Sequence, residues 1–310
     1  MGGMGTRGRS RHRARGLAPH AKVPPAPSRH LHAELAATIR GLPNVVGTYL
    51  GHKTRKGRSL GAPALVVLVD SKVASKQLSP AHRIPRTVSL QVSPKVKVTL
   101  PTDVIVREKF VRASVASPGD GVSAGQGTVG AAIFHPDLGN VVTTAGHVYS
   151  HLFPIRQEWE MADAPVVSLR DRESGDQIVG QLRKLVVDAN ADYALISPTT
   201  VTSRNVYDDS LLGGPYSPDS NDVGQPCSVL ESDKSYATYF RGVSCPLEFD
   251  DGSRIEHAIL TDVCTSGGDS GCCLVDANRR IVGLLVGHNS KHSAFMPITR
   301  ILIDENASLI

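Results

Sequence analysis

The chain has 310 residues, 40% hydrophobic and 20% charged, which suits a soluble globular protein with room for two folded units. No apolar run approaches the ~18–20 residues a membrane-spanning helix needs, and the basic N-terminus is followed by no apolar stretch of the secretory kind. The net charge of +5 is uneven: seven cations and no acid fall within residues 1–30, leaving −2 for the remainder, so the basic character belongs to the tail.

In chain order, residues 1–30 mix Gly, Arg, Ser, His and Pro without periodicity and are expected to be a disordered basic tail. Leu31 to Arg40 has helical spacing and stops at Gly41-Leu42-Pro43. Asn44–Leu50 reads as a strand, His52–Arg58 as a basic turn, and Ala64–Val69 as a strongly apolar strand. Leu78–His82 has a proline early in a short helical start, and Val88–Val92 and Val96–Leu100 are further strands, with Pro101–Val106 closing the segment. Residues 31–112 thus form a small α+β unit without paired acids, a phosphate loop or a ligand cluster. A Ser/Gly/Ala-rich linker over 113–126 follows, and 127–310 is a second, mainly β domain.

In that domain short β-type runs alternate with turn signals, as in an all-β barrel or sandwich. The expected strands are Val129–Phe134, Val141–Thr144, Val166–Leu169, Gln177–Leu182, Tyr193–Ile196, Cys227–Leu230, Ala237–Val243, Ile255–Leu260, Cys272–Val275, Ile281–Val286 and Ser293–Met296. Arg300–Asp304 is expected to be a short closing helix. The five cysteines are odd in number, irregular in spacing and free of CxxC or Cys/His metal patterns, which points to a reducing compartment, most simply the cytoplasm.

One stretch carries chemistry. Thr265-Ser266-Gly267-Gly268-Asp269-Ser270-Gly271 presents a serine between glycines and runs straight into an apolar strand. A serine hydroxyl is a poor nucleophile unless a base takes its proton and donors hold the oxyanion it creates. In this reading Ser270 attacks, and the N–H groups of Gly268 and Ser270 form the oxyanion hole. An ordinary Gly/Asp/Ser turn is the alternative when the stretch is taken alone. Cys272 and Cys273 lie past the turn, inside the apolar strand, and are expected to be buried and inert.

A base and an acid are available. Val141–Ala145 is an apolar-to-small run that delivers His147 at a strand end, where an imidazole can face a cleft. Asp192 heads the apolar run Tyr193–Ile196, and a carboxylate entering a buried strand needs a partner. The Nδ1–H of His147 is the expected one; Asp188 is the fallback acid.

The order His147, Asp192, Ser270, with gaps of 45 and 78 residues, resembles that of the chymotrypsin/trypsin-like serine proteases. Thr144-Ala145-Gly146-His147, Asp192–Ile196, Gly268-Asp269-Ser270-Gly271 and Ile281-Val282-Gly283-Leu284 resemble that family's motifs over about residues 127–304. The arrangement looks closest to intracellular-type members with a short N-terminal α+β segment. The resemblance implies two six-stranded β-barrels, a serine endopeptidase with His147, Asp192 and Ser270 as its triad, and no metal or organic cofactor. It also implies Cys264 as the floor of the first substrate pocket and Val286, Gly287 and His288 as the substrate-binding edge strand. A floor without an acid points to a small or apolar side chain rather than Lys or Arg.

The chain also departs from that pattern. Val148 stands where secreted members have a cysteine, and nothing near Gly125–Val129 looks like an activation site that would free an apolar N-terminus for Asp269. Control by a partner protein or by self-assembly is therefore expected, through residues 31–110. The expected partners are a protein or peptide substrate and such a regulator, with no membrane, and nucleic acid only through the tail. A protease-fold module that binds peptides without cutting them is the rival reading. A nucleic-acid binder working through the Arg-rich tail is a second rival.

Overall fold

The computed structural model describes residues 29–310 apart from 56–57, 75, 95, 111–126, 156, 171–176, 189, 200–204, 208 and 232–233. The linker expected at 113–126 lies outside the described residues, as does most of the expected basic tail.

Helix α1 (Arg29–Arg40) opens the described chain. It buries Leu35, Ala36 and Ile39 on one face, and Leu35 and Ile39 share a core with Leu65, Val67 and Val69 of the strand pair beneath. That pair is β1 (Val45–Arg55) and β2 (Arg58–Val69), with β3 (Thr87–Ser93) and β4 (Val96–Val106) completing the sheet in the order β1-β2-β4-β3. The basic turn expected over His52–Arg58 is instead strand on both sides of 56–57, paired out to Arg55↔Arg58. Its polar residues belong to the end of a long hairpin, where apolar content fades although the ladder continues. A 3₁₀ turn (Pro80–His82) stands where a helical start is expected.

The first half of the β-rich region contains β5 (Ala132–His135), β6 (Gly139–Thr144), β7 (Gln157–Glu158), β8 (Val166–Arg170), β9 (Gln177–Val187) and β10 (Asp192–Pro198). Small hairpin strands β11 (Val206–Tyr207) and β12 (Ser210–Leu211) lead to β13 (Gly213–Pro215). The second half contains β14 (Pro226–Leu230), β15 (Ser235–Glu248), β16 (Arg254–Asp262), β17 (Cys273–Asp276), β18 (Arg280–His288) and β19 (His292–Pro297). Helix α2 (Ile298–Asp304) and β20 (Ser308–Leu309) close the chain.

The second-half strands run β14-β17-β18-β19-β16-β15, and β14 also pairs back onto β15, closing a six-stranded barrel. The first-half sheet runs β20-β5-β6-β10-β9-β7, with β8 also on β9, and no pairing joins its ends among the described residues. The fold is thus mainly β: a closed six-stranded barrel in the second half and, where a second closed barrel is expected, a sheet whose ends stay unpaired among the described residues, the whole preceded by α1 and its sheet. That sheet is not detached from the barrel: β1 pairs with β15 at Leu50↔Val243 and Gly51↔Gly242.

Alternation along the strands divides the core. Tyr193 and Leu195 of β10 join the central cluster, while Ala194 and Ile196 face the interior of the first half. Cys273 and Val275 face the same central cluster, and Cys272 and Leu274 face Phe240 and Phe295 inside the second barrel. A period of two on strands buried on both faces explains why these runs read as continuously apolar. Each fully buried Leu, Ile or Phe there contributes about 1.5–3 kcal/mol. The central cluster holds β6 and β10 against β17, β18 and β19, so it sets the distance between His147 and Asp192 on one side and Ser270 on the other.

Candidate active site

His147 sits in a single 3₁₀ turn (Gly146–Val148) directly after β6. Asp192 is the first residue of β10, which pairs with β6 at Ala194↔Thr144, so the sheet itself brings acid and base together. Asp192 has no exposed surface and spends both carboxylate oxygens on His147. Oδ1 accepts from the backbone N–H at 2.8 Å, and Oδ2 lies 2.7 Å from Nδ1. An ionised carboxylate can only accept, so Nδ1 carries the hydrogen and Nε2 is left as the acceptor. Nε2 lies 2.8 Å from the Ser270 hydroxyl oxygen, 123 residues further along the chain. The three expected residues therefore form one hydrogen-bonded series, Asp192–His147–Ser270. The fallback acid, Asp188, shapes the turn before β10 by accepting from the N–H groups of Asn190 and Ala191.

Local chemistry explains how Ser270 reaches its place. The Asp269 carboxylate accepts from the Ser266 N–H at 2.6 Å and its hydroxyl at 3.1 Å, closing a tight turn ahead of the serine. Gly268 and Gly271 adopt φ of +99° and +94°, a region side chains with a Cβ rarely enter. At Gly271 a Cβ would also lie 2.3 Å from both the Thr128 carbonyl and the Thr144 hydroxyl. After the turn, Gly271 N–H donates to Leu285 O and Leu285 N–H to Cys272 O, which lays β18 alongside the nucleophile. Among the described residues, the N–H groups of Gly268 and Ser270 donate to no protein acceptor.

Thr128 has no signal in the sequence, yet it joins the two halves at the site. Its N–H donates to the Ser270 carbonyl at 2.7 Å and its hydroxyl to the Gly268 carbonyl at 3.3 Å. Its own carbonyl accepts from the hydroxyl of Thr144, the last residue of β6 and three before His147. A threonine two residues past a Ser/Gly-rich stretch looks like any turn residue; only the fold supplies its partners.

Leu285, the residue before Val286, exchanges backbone hydrogen bonds with Gly271 and Cys272, which follow Ser270. Val286 is buried, and Gly287 and His288 pair with Ala294 and Ser293 of β19. β17 pairs with β18 only as far as Cys273↔Leu284, so Val286–His288 runs past the end of that neighbour. Cys264 is half-buried, and its N–H donates to the Ser293 hydroxyl at 3.1 Å. Ser293 in turn lies 2.7 Å from the Thr265 hydroxyl, an unforeseen buried pair whose partners are 28 residues apart. This wall is neutral. Burial also holds the Cys264 thiol above its ordinary pKa.

All five cysteines are free thiols. Cys272 and Cys273 are buried as expected, and burial pushes the Cys272 thiol well above its ordinary value and Cys273 up to about 12. Neither is a competing nucleophile, since reactivity belongs to the thiolate. No group of His, Cys, Asp and Glu among the described residues has the arrangement of a metal site.

No protein-family model and no curated protein matches the chain. Among solved structures it is similar to a Nocardiopsis protease, at 16% identity and a TM-score of 0.45 over 65% of this chain and 97% of that one. It is also similar to a chymotrypsin of Cellulomonas bogoriensis (18%, 0.44, 65% and 97%) and to protease A of Thermobifida fusca (14%, 0.44, 66% and 99%). These are coarse likenesses of fold.

Proposed function

We propose that the protein is a serine endopeptidase. The observation that carries this reading is the unbroken series from the Asp192 carboxylate through both nitrogens of the His147 ring to the Ser270 hydroxyl. His147 Nε2 takes the Ser270 proton as the oxygen attacks a peptide carbonyl carbon. The resulting oxyanion receives the N–H groups of Gly268 and Ser270. The C–N bond then breaks as the proton on His147 passes to the leaving amine, giving an acyl-serine. Water, deprotonated by His147, releases the acid and restores the hydroxyl. Asp192 holds the ring tautomer and stabilises the imidazolium throughout. The neutral wall of Cys264, Thr265 and Ser293 supports a small or apolar side chain next to the cut bond.

One observation favours a second reading, a latent module that binds without cutting: Ser270 has no exposed surface and His147 is 4% exposed. In the first reading the same burial supports control by a partner or by assembly, in a cytoplasm that suits five free thiols. Incubation with an unfolded protein pool, followed by identification of newly formed N-termini, separates the two. The protease reading expects new termini that vanish in Ser270→Ala; a folded wild type that produces none overturns it.

A further inference from the structure

Four residues after β4, 107–110, run as a strap from the N-terminal sheet onto the second barrel. Arg107 N–H donates to Val69 O, and its guanidinium bridges Asp70 and Glu248. Phe110 N–H donates to Glu248 O, Asp250 N–H donates back to Phe110 O, and the Phe110 ring meets Phe249 edge-on. Between these two anchorages Glu108 reaches across to the tip of the β18–β19 hairpin. Its Oε1 pairs with Lys291, and its Oε2 accepts from the Ser290 hydroxyl at 3.1 Å. The Lys291 contact holds the Glu108 carboxyl below its ordinary pKa.

The tip it grips is the continuation of Val286–His288. Inside the hairpin, the Asn289 side chain accepts from the N–H groups of Lys291 and His292. On the far side, Val263 N–H donates to Lys291 O, one residue before Cys264 and seven before Ser270. The tip is therefore held twice: from behind by the segment leading to the nucleophile, and from the side by Glu108. Strap and hairpin face each other across a cleft of about 750 Å³, so the contact spans an opening rather than a packed core.

We propose that Glu108 is a positioning residue: through Ser290 and Lys291 it fixes the hairpin whose strand Val286–His288 receives the peptide. An extended peptide adds to a free strand edge through main-chain hydrogen bonds, and these require the edge to hold its line. The N-terminal α+β sheet thereby sets how tightly substrate binds without touching Ser270 or His147. The inference rests on the protease reading.

Two probes of Ser270 separate positioning from damage in the full-length chain. A simple alkyl fluorophosphonate needs only the activated serine; a pool of tripeptidyl diphenyl phosphonates, varied at the residue next to phosphorus, needs the peptide edge as well. The variants are Glu108→Lys, Lys291→Glu and the double swap. An exposed ion pair is worth little, so a decline of about 2- to 5-fold in the peptidyl labelling rate is expected for each single variant. Recovery is expected in the swap, with the alkyl rate unchanged in all three. The inference is overturned if the alkyl probe labels the wild type and the peptidyl rate does not change in the single variants, if no member of the pool labels, or if both rates fall together. A wild type labelled by neither probe sinks the protease reading itself.

Discussion

Replacing Asp192 by asparagine tests the site with little change of shape. Both carboxylate oxygens accept from His147, one from its backbone N–H and one from Nδ1. An amide supplies one acceptor and one donor. If its NH₂ faces the ring, Nδ1 must give up its hydrogen, Nε2 acquires one, and Ser270 loses its base; that tautomer error costs about 10⁴-fold, or ~5.4 kcal/mol of transition-state stabilisation. If the amide is reversed, its NH₂ opposes the His147 backbone N–H, leaving a buried donor unpaired at about 1–3 kcal/mol. The correct tautomer is then a minor species of roughly one part in 10 to 100, and it also lacks the negative charge that supports the imidazolium. The labelling rate with an alkyl fluorophosphonate should therefore fall by about 10²- to 10⁴-fold, while circular dichroism and thermal unfolding report an intact fold. A variant that labels within threefold of the wild type would refute the assignment of Asp192.

Three further outcomes follow from the same geometry. Gly271→Ala places a Cβ against the Thr128 carbonyl and Thr144 hydroxyl in a backbone conformation with φ of +94°. A loss of about 1–3 kcal/mol is expected, read as a Tm fall of several degrees, with labelling of Ser270 reduced further than stability alone explains. His292 has its pKa held down, first by burial, so below about pH 6.5 the unfolded chain takes up a proton that the native chain refuses. The stability of the neutral form is complete above that pH and declines as pH falls toward the native pKa, by at most about 1.4 kcal/mol per pH unit. Tm measured from pH 7.5 to 5.0 should fall less steeply in His292→Gln. Finally, iodoacetamide at pH 8 should leave Cys272 and Cys273 unmodified in the native protein and alkylate both in urea, as mass spectrometry of the peptides would report.

Much of the site is legible in the sequence because its chemistry is local. A serine between glycines, a histidine after an apolar strand and an acid at the head of another each carry their own signal, and their order supplies the rest. The strands on either side are legible because alternate residues enter different cores, so β10, β17 and β18 read as unbroken apolar runs. What escapes is contact made at a distance. Thr128 under the nucleophile turn, Ser293 against Thr265, and Glu108 on the hairpin each pair with residues at least 28 positions away. No composition or period marks them. Short strands such as β7, β11 and β20 escape for a different reason, since two residues hold no period. The hairpin through Arg55 and Arg58 escapes because charged residues at a ladder end look like a turn.

The central claim is that Ser270 is activated by His147. Its most direct test is labelling by an alkyl fluorophosphonate, with the adduct located by mass spectrometry, in the wild type, Ser270→Ala and His147→Ala. A single adduct on Ser270 that disappears in both variants is the expected result. A well-folded wild type that takes no adduct, or an adduct that survives in His147→Ala, would contradict it.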